Sequence, residues 1–126
     1  MVKRIPELSP LEWEIMGVIW SLGGRPSVRE VLDAAYPGGE KAYTTVQTVM
    51  NNLEGKGYLK KEKIGLVNFY RPLRRRGDLV RKEMDRFVDR VFAGSFGALA
   101  DYLVQSDALD DEKLAELRRM LEEREK

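Results

Sequence analysis

The 126-residue sequence predicts a mainly α-helical protein with one small β-sheet, an α+β fold. Two observations support this prediction. Apolar residues recur at helical spacing over most of the chain, in segments that open on capping patterns such as Ser-Pro-Leu-Glu. Between residues 59 and 71 the pattern instead alternates with a period of two, which is typical of a hairpin. The predicted order is three helices, a hairpin and three further helices.

The first two predicted helices each begin at a capping box. Ser9 is the predicted N-cap of the first helix, with Pro10 at the first helical position and Glu12 completing the box. Ser27 and Glu30 repeat the pattern at the start of the second helix. The predicted inner faces of these helices are apolar: Leu11, Ile15, Val18, Ile19 and Leu22, followed by Val28, Val31, Leu32 and Ala35.

The third predicted helix lies between Ala42 and Leu59, and Gly57 stands where a left-handed cap would end it. Its apolar residues form one stripe at i, i+3, i+4 and i+7, namely Val46, Val49, Met50 and Leu53. The opposite side has no acid and consists of short hydrogen-bonding groups, namely Thr44, Gln47, Thr48 and Asn51. A merely solvated face usually carries Lys and Glu, so this pattern indicates a face that contacts a ligand.

A basic two-stranded hairpin is predicted directly after this helix. Lys61 and Lys63 fall on one side of the first strand, and Lys60 and Glu62 fall on the other. The predicted turn residues are Gly65 and Asn68, Pro72 ends the hairpin, and Arg25-Pro26 is a candidate third, edge strand. A polar-faced helix followed by a basic hairpin predicts a winged helix-turn-helix, with the helix in a DNA major groove and the hairpin beside it.

The remainder of the chain predicts three short amphipathic helices. Asp78 is the predicted cap of the first, Gly94-Ser95 separates it from the second, and Asp110 caps the last. Their apolar surface is more than three short helices can bury among themselves, which predicts a two-fold symmetric homodimer. The predicted domains are therefore a winged helix at 1–76 and a dimerisation region at 77–126. The predicted dimer contacts are Phe87, Val91, Phe92, Phe96, Leu99, Leu103, Leu117, Met120 and Leu121.

Composition narrows the possible functions. The chain has no Cys and no His, which removes disulfides, thiolate metal sites, the usual general base and the usual imidazole ligand. We therefore expect no cofactor, no metal and no enzyme activity. No apolar run is long enough to span a bilayer and no signal-peptide pattern opens the chain, so a soluble cytoplasmic protein is expected.

The near-zero net charge conceals an asymmetry. Residues 1–77 hold 13 Lys and Arg against 8 Asp and Glu, a balance of +5. Residues 78–126 hold 9 against 13, a balance of −4, and the two sum to the overall +1. A moderately basic front half indicates that this part of the chain meets a polyanion.

The polar face of the third helix fits a DNA-reading surface. The side-chain amides of Gln47 and Asn51 are predicted to bind base edges, with adenine as their natural partner. The hydroxyls of Thr44, Thr45 and Thr48 are predicted to reach phosphates near the helix N-terminus. The alternatives are a solvated face, capping by Thr44 and inward packing of the Thr45 methyl group. The hairpin lysines are predicted to contact phosphate, the alternative being that they only protect a sheet edge.

The sequence resembles the BlaI/MecI (penicillinase repressor) family of winged-helix repressors, to which CopY-type repressors also belong. The resemblance covers nearly the whole chain and rests on four motifs in order: LSPLEWEIMGVIW, AYTTVQTVMNNLEGKGYL, FYRPL and LDDEKLAEL. It implies a homodimeric repressor that binds inverted-repeat operator DNA. It also implies that the following residues contact bases and backbone: Tyr43, Thr44, Thr45, Gln47, Thr48 and Asn51, with Lys60, Lys61 and Lys63 approaching phosphates.

Two departures limit what the resemblance implies about release from DNA. Family members released by a membrane sensor-protease pathway are cut at an Asn-Phe bond, and the matching place here, aligned by residues 96–99, reads Tyr102-Leu103. The resemblance therefore suggests this pathway as a partner, but it does not imply cleavage at Tyr102-Leu103. The copper-responsive branch uses a C-terminal cysteine cluster, which this chain lacks.

Two other functions are compatible with the sequence. A winged helix can serve as a protein-interaction module without DNA, and a gel-shift titration across salt would separate that role from a repressor's. A winged-helix regulator of another class could hold a ligand among the C-terminal helices, although no polar groups of the sequence converge there.

Overall fold

A computed structural model of the chain describes residues 6–125, within which it has six helices and one two-stranded sheet. This confirms the predicted α+β class. The chain divides into two compact units between Leu79 and Val80. The elements are α1 (Pro10–Leu22), α2 (Val28–Ala35), α3 (Tyr43–Gly55), β1 (Leu59–Ile64), β2 (Val67–Pro72), α4 (Arg76–Phe92), α5 (Phe96–Gln105) and α6 (Asp111–Glu125).

Both predicted capping boxes are present. The Ser9 hydroxyl accepts from the Glu12 N–H at 3.2 Å, while the Glu12 carboxylate accepts from the Ser9 N–H at 2.8 Å. Ser27 and Glu30 form the same reciprocal pair at the start of α2. These side chains satisfy backbone donors that the first helical turn leaves without intrahelical partners, and so they fix where α1 and α2 begin.

The core of the N-terminal unit lies where α1, α2, α3 and β1 meet. Ile15, Met16 and Ile19 are fully buried on α1, but the predicted core residue Leu22 is 44% exposed. Leu22 was wrongly predicted because it lies in the last helical turn, beyond the part of α1 that the other helices cover. The buried apolar cluster comprises Ile15, Met16, Ile19, Val28, Val31, Leu32, Tyr36, Val46, Val49, Met50, Leu53, Tyr58, Leu59, Tyr70 and Leu79.

Helix α3 has the predicted two-sided character. All four residues of its apolar stripe are buried in the core, and its N-cap is Ala42. Lys56 caps its C-terminus, and Gly57 then adopts a φ of 86°, as the left-handed helix end requires. The stripe therefore holds α3 with its polar side turned out of the core.

The two strands form the predicted antiparallel hairpin, called the wing below. Gly65 and Leu66 make its turn, and the φ of 65° at Gly65 suits a residue without a Cβ. Asn68 was predicted to lie in the turn, but it belongs to β2 and pairs with Lys63, because a two-residue turn is enough to reverse the chain. The predicted third strand amounts to one bridge between Ser27 and Phe69.

The C-terminal helices have the predicted breaks and one altered start. Because α4 begins at Arg76, Asp78 is not its N-cap; it lies in the first turn, where its charge favours the helix dipole. Ala93 and Gly94 have positive φ values and end α4. The Ser95 hydroxyl then caps α5, and the Asp110 carboxylate accepts from Lys113 N–H at 2.8 Å at the start of α6.

Candidate nucleic-acid interface

The outer face of α3 is the centre of the candidate site, and six predicted residues form it: Tyr43, Thr44, Thr45, Gln47, Thr48 and Asn51. Tyr43 and the three threonines are exposed, and the two amides are half-buried. Ala42 is the N-cap of α3, so Thr44 does not cap the helix. Thr45 is exposed, so its methyl group does not pack into the core. The structure thus brings all six residues onto one accessible helix face.

The N-terminus of α3 suits an anion. No side chain of residues 6–125 caps it, and its first turn contains no acid. The backbone N–H groups of Thr45 and Val46 bind the Ala42 carbonyl, whereas those of Tyr43 and Thr44 have no acceptor among residues 6–125. Uncapped N–H groups and the helix dipole together favour a phosphate at this end of the helix.

A groove separates α3 from the tip of the wing, and it contains two residues that sequence reasoning missed. The Arg29 guanidinium from α2 lies 5.1 Å from the centre of the Tyr43 ring, so a cation borders the start of α3. Leu66 in the wing turn is 95% exposed. The groove is lined by Ser27, Val28, Arg29, Tyr43, Gln47, Leu66, Val67, Asn68 and Tyr70.

The sequence contained a weak signal for each missed residue. Arg29 occupies the first turn of α2, where a cation opposes the helix dipole, and Asp33 one turn later, 3.9 Å from the guanidinium, offsets this only in part because both side chains are exposed. Leu66 is an apolar residue in a turn that would ordinarily be polar. Neither signal indicates which element lies across the groove, because that follows only from the packing of the wing against α3.

The wing lysines lie on two faces. Lys61 pairs with Tyr70 and Lys63 pairs with Asn68, so they share the hairpin face that carries these two residues. The Lys61 ammonium is 5.8 Å from the centre of the buried Tyr70 ring. Lys60 pairs with Arg71 on the opposite face. The structure therefore groups Lys61 and Lys63 with Tyr70, beside α3, and separates Lys60 from them.

The negative charge of Glu62, the one acid of the wing, is compensated by two neighbouring cations. Glu62 accepts from Arg25 at 2.8 Å and from Arg71 at 3.2 Å. These two hydrogen-bonded guanidinium groups hold the pKa of the Glu62 carboxyl below its usual value. The repulsion that Glu62 would exert on phosphate is therefore offset by two neighbouring cations, on the face away from Lys61.

A hydrogen bond joins the wing to the outer face of α3. The buried Tyr70 hydroxyl donates to the side-chain oxygen of Asn51 at 2.8 Å. Asn51 is therefore held by the protein on one side while its other side is accessible. Gln47, one turn earlier, makes no side-chain hydrogen bond with any residue between 6 and 125.

The predicted dimer residues lie in the C-terminal unit. Among the described residues of this unit, Val88 is the one fully buried large side chain. Val91, Phe96, Met120 and Leu121 are 53–58% exposed. The remaining five, Phe87, Phe92, Leu99, Leu103 and Leu117, are half-buried.

Residues 6–125 hold neither a candidate membrane span nor a candidate metal site. No helix in this range combines the length and the apolar character needed to cross a membrane. No group of three or more acidic side chains in this range is arranged to hold a metal ion.

Comparisons with known proteins identify the family. The model of the penicillinase repressor family matches residues 8–123. The penicillinase repressor of Bacillus licheniformis is 30% identical over 122 residues, covering 97% of this chain and 94% of that protein. The methicillin resistance regulatory protein MecI of Mammaliicoccus sciuri is 26% identical over 121 residues, covering 96% and 98% respectively.

Two solved structures are similar to the N-terminal part of the chain. The DNA-binding domain of the repressor BlaI has a TM-score of 0.53 and 32% identity, over 61% of this chain and 93% of that one. The monomeric form of Bacillus licheniformis BlaI in complex with the blaP half-operator has a TM-score of 0.50 at the same identity and coverage. The predicted winged helix is confirmed, and the chain belongs to the penicillinase repressor family, a family of transcriptional repressors and not of enzymes.

Proposed function

We propose that this protein represses transcription by binding inverted-repeat operator DNA as a homodimer, with α3 of each copy in the major groove. The observation that carries the proposal is the outer face of α3, an acid-free row of amides and hydroxyls beside a basic wing. The BlaI complex with a half-operator supports it, because that protein is 32% identical over the winged helix.

The proposed contacts fall into two classes. The amides of Gln47 and Asn51 face base edges, since they lie along the accessible middle of α3. The hydroxyl of Thr48 faces phosphate. Tyr43, Thr44 and Thr45 face phosphate at the uncapped N-terminus. Positive charge near the DNA backbone comes from Lys60, Lys61, Lys63 and Arg29. Lys61 and Lys63 share the Tyr70 face of the wing, and Arg29 borders the groove.

The proposed dimer uses the C-terminal unit. Two copies of α3 related by a dyad would read two half-sites of one palindrome, which a single copy cannot do. The exposed apolar side chains of α4, α5 and α6 supply the surface for this association. We place the protein in the cytoplasm, with its operator. A membrane sensor-protease pathway stays a proposed partner on the family resemblance alone.

The test begins with selection of bound fragments from genomic DNA, which gives the operator and its symmetry. Fluorescence anisotropy then measures the affinity of the full-length chain for this operator between low and moderate salt. A repressor should lose affinity steeply as salt rises, because phosphate contacts release counterions. If no fragment is selected and no DNA binding is measurable even at low salt, a protein-interaction module would be favoured instead.

Gln47→Ala tests the assignment of the face. We expect sequence preference at one base pair of each half-site to relax by about 1–3 kcal/mol, with the fold intact. Gln105→Ala is the matched control, since it removes an exposed amide from α5. An unchanged specificity and affinity in Gln47→Ala would show that the outer face of α3 does not read DNA.

A further inference from the structure

We propose that Tyr70 is a positioning residue that holds the Asn51 side-chain oxygen and directs the NH₂ group outward, so that Asn51 reads guanine rather than adenine. This inference rests on the proposed function and names the base that one residue of the outer face of α3 recognises. It is carried by the bond between the Tyr70 hydroxyl and the Asn51 side-chain oxygen, 2.8 Å apart.

The surroundings of Tyr70 fix the direction of this bond. The side chain is fully buried, and its backbone N–H donates to the Pro26 carbonyl at 2.9 Å, which ties β2 to the segment before α2. Among residues 6–125 the hydroxyl has no acceptor besides Asn51. An inverted amide would leave the hydroxyl proton unpaired in a buried position, which is costly. Burial also raises the pKa of the Tyr70 hydroxyl, so it keeps that proton.

The amide geometry then determines what Asn51 offers to a ligand. The oxygen and nitrogen of a side-chain amide lie on opposite sides of one planar group. Because the oxygen faces buried Tyr70, the NH₂ group faces away from it, toward the accessible side of α3. Asn51 thus presents two donors at the outer face of α3.

The donors and acceptors that each base presents in the major groove determine which base the two Asn51 donors can bind. Guanine presents two acceptors, N7 and O6, which match two donors. Adenine presents one acceptor and one donor, and reading it with an amide requires the amide oxygen as well as the NH₂ group. In Asn51 that oxygen faces the Tyr70 hydroxyl, on the side opposite to the NH₂ group. Gln47 has no such partner and keeps both groups available, so the two amides of α3 differ in what they read.

The test measures base preference with the full-length chain on its selected operator. All four base pairs are placed at each position, and Asn51→Ala identifies the position where discrimination by residue 51 is lost. At that position the native protein should prefer guanine to adenine. Tyr70→Phe keeps the buried ring and removes the hydroxyl, and we expect it to lower the guanine-over-adenine ratio about fivefold or more.

Two further variants separate positioning from general destabilisation. Tyr36→Phe also removes a buried hydroxyl, which donates to Glu14 at 3.0 Å, and it should leave the base preference unchanged. Asn51→Asp keeps an oxygen for Tyr70 but replaces the NH₂ group with an acceptor. We expect it to shift preference from guanine to cytosine, whose N4 amino group is a donor. If Tyr70→Phe fails to fold, the base preference of the native protein at the position identified by Asn51→Ala remains decisive: guanine supports the inference and adenine overturns it.

Several outcomes would overturn the inference. One is a native preference for adenine at the Asn51 position, and another is a folded Tyr70→Phe protein with an unchanged preference. An operator profile that responds to Gln47→Ala but not to Asn51→Ala would overturn it while leaving the proposed function intact. Absence of any sequence-specific binding would remove both.

Discussion

At the scale of single residues, Glu12 combines a local and a tertiary role. Its carboxylate completes the capping box of α1 and also accepts from the Lys56 ammonium at 2.6 Å. The same ammonium donates to the Glu7 carbonyl, so it ties the segment before α1 to the C-terminus of α3. The Glu12 side chain is almost fully buried, which makes its protonation state matter for stability.

This ion pair predicts an acid-sensitive fold. Burial raises the pKa of Glu12, but the hydrogen bonds from Lys56 and Ser9 more than offset it, so the pKa lies below the usual value of a glutamate. A carboxyl whose folded pKa is depressed contributes stability above its unfolded pKa and loses it as pH falls. We therefore expect the free energy of unfolding, measured by urea titration, to decrease as pH falls below about 4.5 through the lower folded pKa.

Glu12→Gln isolates the contribution of the charge. It should lower the free energy of unfolding at pH 7 by about 1–3 kcal/mol. It should also make this free energy decrease less as pH falls, because no carboxyl remains to titrate at position 12. The control is Glu30→Gln in the second capping box, whose carboxylate is exposed and does not face Lys56. If the stability of Glu12→Gln decreased at low pH as much as that of the native protein, other carboxyls would be the cause of the acid sensitivity.

At the scale of elements, the register of the wing divides its charges. Alternation of side chains along β1 places Lys61 and Lys63 on the face of Tyr70, with Lys60 and Glu62 on the other. On that second face Glu62 binds Arg25 and Arg71. The lysines on the Tyr70 face lie beside α3 and away from the acid, so they should contribute more to DNA binding.

Salt dependence measures this difference. Lys61→Gln should weaken binding about equally for all sequences and reduce the slope of log affinity against log salt by about 1. Lys60→Gln, the matched control on the opposite face, should change the slope less. Equal slopes for the two variants would mean that both faces of the wing approach phosphate.

Local chemistry explains which elements could be predicted from the sequence. The starts of α1 and α2 were predictable because each capping box lies within four residues. The apolar stripe of α3 was predictable because helical periodicity puts its four apolar residues on one side, which packs into the core. The start of α4 was not, since Asp78 is as favourable in a first turn as at an N-cap. The Asn51–Tyr70 bond was not, because it spans 19 residues between two elements.

At the scale of the whole molecule, the two compact units differ in how well they bury apolar surface. The N-terminal unit has a core drawn from α1, α2, α3 and the wing, and Leu79 at the start of α4 belongs to it. The C-terminal unit has one fully buried large side chain among its described residues. Exposed apolar surface of this extent on a helical unit favours association with a second copy.

Leu121→Asp tests the proposed dimer. Leu121 is 56% exposed on α6, and a carboxylate there would have to be desolvated at a dimer interface. We expect sedimentation equilibrium to show a shift from two chains to one, and affinity for the full palindrome to fall at least about tenfold. Affinity for a single half-site should stay the same, because the winged helix is unaltered.

Ala115→Asp is the control for the added charge. It introduces the same carboxylate on α6, on the side of the helix away from the stripe of Leu114, Leu117 and Leu121, where residues remain in solvent. It should sediment as the native protein does and keep full affinity for the palindrome. If both variants behaved like the native protein, α6 would lie outside the interface. If the native protein itself sedimented as one chain while binding the palindrome tightly, the two half-sites would be read without a preformed dimer.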